Sequence, residues 1–212
     1  MRFDLDMPAW KWPFYVCGHP FEGFEDVRRE KACNSKVALV IVLCLFLVTA
    51  AERLMTGYVF RTYFEKVFDV VPLFFGTVLI FFIWVVGNWS LCTLFSGEGR
   101  LQQIMCVTAY SLVPYILSRV LCIFASNVLT SREGFILTLL SCIGTVWSAV
   151  LVIFAMKAVH RYSMPKTLLA VILTLVAMAV IIFVLILLAS LIQQVVVFVC
   201  SICTELMYRS NI

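Results

Sequence analysis

The sequence predicts an all-α, polytopic membrane protein of five transmembrane helices, with its N-terminus cytoplasmic and its C-terminus extracytoplasmic. Three observations predict it. A chain that is 63% hydrophobic and 13% charged, with a mean hydropathy of +1.05, lies outside the range of soluble domains. Its apolar residues fall in blocks, since 37–51, 70–97 and 134–156 carry no charge, and blocks near 20 residues suit helices that cross a bilayer. Its basic residues alternate in density between loops: Arg2, Lys11, Arg28, Arg29, Lys31, Lys36, Arg100, Lys157, Arg161 and Lys166 on one side outnumber Arg53, Arg61, Lys66, Arg132 and Arg209 on the other. Positive charge is retained in the cytoplasm during insertion, so the first side is cytoplasmic.

The segment 1–36 reads as a cytoplasmic interfacial stretch, too short for its own core. No cleaved signal is expected, because Asp4 and Asp6 stand where a basic patch would be. Trp10, Trp12, Phe14 and Tyr15 are aromatics of the kind that settle at headgroup level, and Pro13 and Pro20 keep this part from forming one helix. Residues 21–32 are expected to form a short amphipathic helix on the membrane surface, with Phe21, Phe24 and Val27 or Arg28 on one face. A single five-helix domain follows over 37–191, with spans 37–58, 71–95, 101–124, 134–156 and 167–191. Residues 52–69 make an outer surface helix after a break at Gly57. The run 167–204 carries no charge, yet two spans alone need about 40 residues, so it holds one. The remainder, 192–212, is expected to lie along the outer surface.

Within the third span two residues stand out. Pro114 frees the carbonyl of Tyr110, so a kink is expected near mid-membrane. Arg119 lies about 27 Å along a helix that begins at Leu101, near the far side of a hydrocarbon layer about 30 Å thick. It is expected to snorkel or to pair with Glu52 or Glu205. Small side chains mark packing seams: Ser141, Thr145, Ser148 and Ala149 on span four, Ala170, Thr174 and Ala177 on span five.

Sets of residues that carry enzyme chemistry are missing. The only histidines are His19 and His160, no carboxylate pair lies within a span, and no Ser-His-Asp set or zinc motif appears. Neither a cofactor nor a metal is expected. Cys200-x-x-Cys203 lies in an apolar helix without clustered His or carboxylate and reads as packing. Nucleic acid is not an expected partner, since no basic stripe is present. The Gly97-Glu98-Gly99 triplet has neither the strand and third glycine of a dinucleotide loop nor the Gly-Lys-Ser/Thr of a Walker loop. It reads as a tight cytoplasmic turn, with Trp89 at the inner interfacial belt.

Four separated blocks are "HPFEGFEDVRREK" at 19–31, "NWSLCTLFSGEGRLQQI" at 88–104, "AYSLVP" at 109–114 and "HRYS" at 160–163. Together they resemble the Yip (Ypt-interacting protein) domain family of five-span membrane proteins, in its prokaryotic branch. The resemblance implies five helices and a cytoplasmic N-terminus, in a prokaryotic plasma membrane. Eukaryotic relatives bind small GTPases of the secretory pathway through a long N-terminal region that this sequence lacks, whereas some prokaryotic relatives are encoded beside ATP-driven carbohydrate importers. The first reading is therefore a non-catalytic adaptor or accessory subunit that binds another membrane protein or transporter complex. Its inner recognition face is expected at His19, Phe24, Asn88, Trp89, Gly97, Gly99, His160 and Tyr162. The second is a small-solute permease or channel lined by Asn88, Tyr110, Ser111 and Ser118; the third, a trafficking-type organiser that binds a GTPase.

Overall fold

Helices in this chain begin and end where the side chains supply or remove backbone partners. The computed structural model describes residues 7–29, 32–60, 69–95 and 97–210; Arg2, Asp4, Asp6, Lys31, Arg61, Lys66 and Ser96 lie outside them. Among the described residues every regular element is helical, and five helical runs are long and apolar enough to cross a membrane, as expected. Two short helices come first, α1 (Trp12–Gly18) and α2 (Gly23–Arg29). Pro13 opens α1, where its missing N–H costs no hydrogen bond, and Pro20 falls in the turn between the two.

The first span, α3 (Ser35–Met55), is capped by Asn34, whose side chain accepts from the Lys36 N–H at 3.0 Å. A 3₁₀ turn at Tyr58–Phe60 follows, and the rest of the surface helix expected over 52–69 falls largely outside the described residues. The second span is α4 (Val70–Phe74), a π-helical turn at Phe75–Leu79, and α5 (Ile80–Leu94). The third is interrupted as Pro114 requires: α6 (Leu101–Ser111) and α7 (Val113–Ser126) meet at Leu112. The Tyr115 N–H at this break donates instead to Ser148 Oγ, at 3.0 Å. The fourth span is α8 (Gly134–His160), and α9 (Met164–Ser210) is one helix through residue 191. No glycine or proline lies between 166 and 210 to end it, so its 47 residues extend about 70 Å at 1.5 Å each.

The third span is central. Helices α3 and α8 each pack on both α6 and α7, while α9 packs chiefly on α5. On α8 the buried face is Gly144, Ser148, Leu151 and Ala155, so Thr145 and Ala149, expected in the seam, point out of the bundle. Ala170 and Thr174 do face the bundle. The N-terminal hairpin is held by the core on one side. Trp12, Val16, Phe24 and Val27 are buried with Val107, Tyr110, Leu151 and Ala155, and Trp147 Nε1 donates to the Cys17 carbonyl at 3.2 Å. Trp10, Phe14 and Phe21 keep most of their aromatic surface exposed there.

Two expected outcomes arise from this packing. Burial pushes the Cys17 thiol up from 9.0 to about 11, and the thiolate is the nucleophile, so its alkylation at pH 8 should be roughly a hundredfold slower than that of an unburied thiol. Peptide-mapped maleimide labelling checks this, and fast labelling would mean that α1 is detached. At the far end of the third span, Arg119 Nη1 meets Glu52 Oε1 at 2.7 Å, with about a quarter and a third of the side chains exposed. Glu52→Gln should cost ~1–2 kcal/mol, and adding Arg119→Gln should recover part of it, because one charge without its partner is worse than none. Unfolding in mixed detergent micelles reads both.

Candidate functional site

The helix ends near Asn34, the α5–α6 turn and the α8–α9 turn form one end of the bundle, here termed the N-terminal face. Five of the residues singled out in the sequence converge on it. Asn88 in α5 is fully buried, and its Oδ1 accepts from His160 Nε2 at 3.0 Å and from Cys92 Sγ at 3.7 Å. Its Nδ2 donates to Thr174 Oγ1 at 3.2 Å, and that hydroxyl donates onward to the Ala170 carbonyl at 2.7 Å. A single amide thus links α5, the end of α8 and α9. Such a group is expensive to bury unless satisfied, and here each of its atoms has a partner.

The His160 and Tyr162 rings stack with centroids 5.3 Å apart. Tyr162 OH donates to the Phe95 carbonyl at 3.2 Å, which also receives Lys166 Nζ at 3.2 Å, and the ammonium sits 4.3 Å over the Tyr162 ring. Burial, with a smaller contribution from the neighbouring Cys92, pushes the Tyr162 phenol up from 10.0 to about 12. It therefore stays a donor below pH 10, and its stabilising effect is lost as pH rises through about 12.

Gly97 and Gly99 are required for space. Neither has a positive φ, but a Cβ on Gly97 would stand 2.6 Å from Tyr162 OH and 2.9 Å from His160 Nδ1. On Gly99 it would stand 2.5 Å from His160 Cε1 and 2.6 Å from Val159 Cγ1. The turn lies directly on the end of α8, and only a residue without a side chain lets the backbone come so close. Beneath it, His160 Nδ1 is buried without a protein partner.

Between the two glycines, Glu98 is displayed outward. It pairs with Arg28 Nη2 at 3.1 Å and Arg161 Nε at 3.3 Å, while Arg28 Nη1 donates to the Ala158 carbonyl at 2.8 Å. Arg161 ends α8 in the left-handed region, at φ 54° and ψ 36°, which costs a residue with a Cβ about 1–2 kcal/mol.

The Yip1 domain family model matches residues 14–200. The chain belongs to the Yip1 domain family. With its five apolar helices it is a multi-pass integral membrane protein. No curated protein and no solved structure matches it. The match takes in α1 from Phe14 onward, α2 and the whole Asn88 cluster.

The other residues singled out in this Yip1 domain do not join the cluster. Phe24 is fully buried in the main core, and Trp89 is 40% exposed. His19 stacks on Tyr15 at 4.5 Å in the N-terminal hairpin. Tyr110 OH accepts from the Asn34 N–H at 3.4 Å and donates to the Ala32 carbonyl at 3.5 Å, tying the 32–34 linker to α6. Ser111 and Ser118 are buried and donate to the Val107 and Tyr115 carbonyls. Pro114 sets the helix break, and Arg119 lies near the opposite end. Sequence reasoning missed Cys92, Glu98, Arg28, Arg161 and Lys166 as members of the face. Their pairings span up to 130 positions, as between Arg28 and the Ala158 carbonyl, and no local periodicity records them.

Proposed function

We propose that this Yip1-domain chain is a non-catalytic integral membrane adaptor that binds a partner membrane complex through its N-terminal face. One observation carries the reading: a buried polar cluster spends its hydrogen bonds on itself, and the turn it supports presents Glu98 and the flanking arginines outward. A substrate site would keep several polar atoms of the cluster available, whereas Asn88 and Thr174 are wholly engaged within the protein and His160 Nδ1, which lacks a partner, is closed in beneath the turn. Asn88, Gly97, Gly99, His160 and Tyr162 act on this reading as the scaffold of the recognition face, and Glu98, Trp89 and Arg161 as its contact points. The Lys and Arg asymmetry supports a cytoplasmic position for the face. An ATP-driven carbohydrate importer is the first partner to test, on the resemblance to prokaryotic relatives.

A photo-crosslinking amino acid at position 89 or 98 should yield one discrete membrane-protein adduct in cells, and at the lipid-facing Ile143 none. If positions 89 and 98 give no adduct and the purified chain moves solute in liposomes, the reading fails.

A further inference from the structure

Beside the turn, the end of α2 and the end of α8 enclose a cleft of about 620 Å³. Arg28, Arg29, Lys157 and Arg161 line it with Tyr162, against a single lining carboxylate, Glu25. Among the described residues, Arg29 and Lys157 have no carboxylate within ion-pair distance. Glu98, at the edge, is shared by Arg28 and Arg161. Like charges gathered in one cleft repel, so an anion there would stabilise the folded state.

Topogenic charge alone explains neither the cleft nor Arg161. A helix end in the left-handed conformation is ordinarily given to glycine, yet here it holds an arginine whose stem starts at the cleft wall. Lys157 lies one turn before it on α8, and arginines from a separate helix face them both, so two elements contribute cations to one volume. Guanidinium groups match phosphate oxygens with paired hydrogen bonds. One turn deeper along α8, the rings of Phe21 and Phe154 meet at 4.6 Å, and Phe21 is 70% exposed. A charged floor with an aromatic wall toward the bilayer suits a headgroup whose acyl chains lie against that wall.

We infer that the cleft between α2 and α8 binds the phosphate of an anionic glycerophospholipid, with Arg28, Arg29, Lys157 and Arg161 as its ligands. The inference does not rest on the adaptor reading, and it holds for whichever leaflet the face meets. Its shared chemistry with free phosphate is separated by experiment. The full-length chain in a mild nonionic detergent is titrated with dioctanoyl phosphatidylglycerol, dioctanoyl phosphatidylcholine or inorganic phosphate, and native mass spectrometry reads the bound fraction. Phosphatidylglycerol should saturate one site, phosphatidylcholine should not, and inorganic phosphate should bind about tenfold more weakly or worse for want of the acyl contact. Lys157→Gln and Arg161→Gly should each weaken phosphatidylglycerol binding about tenfold. Arg161→Gly relieves the left-handed backbone, so its thermal transition should persist, and loss of binding in that variant cannot be ascribed to misfolding. Equal binding of the two lipids, or undiminished binding in both variants, would overturn the site. Phosphate binding as tight as the lipid would overturn its assignment to lipid.

Discussion

Asn88→Leu is expected to destabilise the bundle by about 3–5 kcal/mol and to expose the Gly97–Arg100 turn to trypsin at Arg100. The magnitude follows from what the amide serves. Its removal leaves His160 Nε2 without its acceptor and takes from Thr174 Oγ1 the donor it accepts from, though that hydroxyl keeps the Ala170 carbonyl, in a site closed to water, at about 1–3 kcal/mol for a buried group left unmatched. A branched side chain must also fit a position that is fully buried. Asn88→Asp keeps an oxygen acceptor for His160 but loses the donor to Thr174 and buries a carboxylate, so it should cost less than the leucine variant at low pH, where the carboxyl is neutral, and at least as much where it is charged. Equilibrium unfolding in mixed micelles gives the order, and trypsin gives the local effect. If Asn88→Leu melts like the parent and Arg100 remains protected, the cluster does not hold the turn.

The second large effect is expected at Gly144. A Cβ there would stand 2.3 Å from Ser118 Cβ and 3.2 Å from the Pro114 carbonyl, so α7 and α8 approach as closely as glycine allows. Gly144→Ala should therefore cost about 2–3 kcal/mol through overpacking. Ser118→Gly alone should also destabilise, by about 1 kcal/mol, through helix propensity. Together the two should be more stable than Gly144→Ala alone, because the second removes the atom against which the first collides. Such a reversal of sign separates a steric seam from a merely apolar one. Additive losses in the double variant would show that the helices are not in that contact.

Much of this was legible in one dimension, and the Asn88 cluster shows where legibility stopped. Asn88, His160 and Tyr162 attract notice as polar or aromatic residues at the ends of apolar runs, and the glycines as a turn between two runs. That they touch one another could not be read, because 72 positions separate Asn88 from His160. The role of the glycines also changes in three dimensions. A glycine turn suggests special backbone angles, but at 97 and 99 the angles are ordinary and the missing Cβ is what matters. Arg119 is the converse case. A charge within a span has few partners of opposite sign at its depth, so the sequence narrowed them to Glu52 or Glu205, and the fold brings it to Glu52.

The sequence by itself determined that five helices cross the membrane and that the third breaks at Pro114. Both follow from properties each residue carries alone: its hydropathy, and a proline's absent N–H. Only the tertiary structure decided that the N-terminal hairpin joins the core, that Ser148 takes the Tyr115 N–H, and that Asn88, His160 and two glycines share one site. These depend on which helix faces meet. In a bilayer, lipid tails are as apolar as the helix surfaces, so hydrophobicity does not choose those faces, and the choice falls to close packing and single hydrogen bonds.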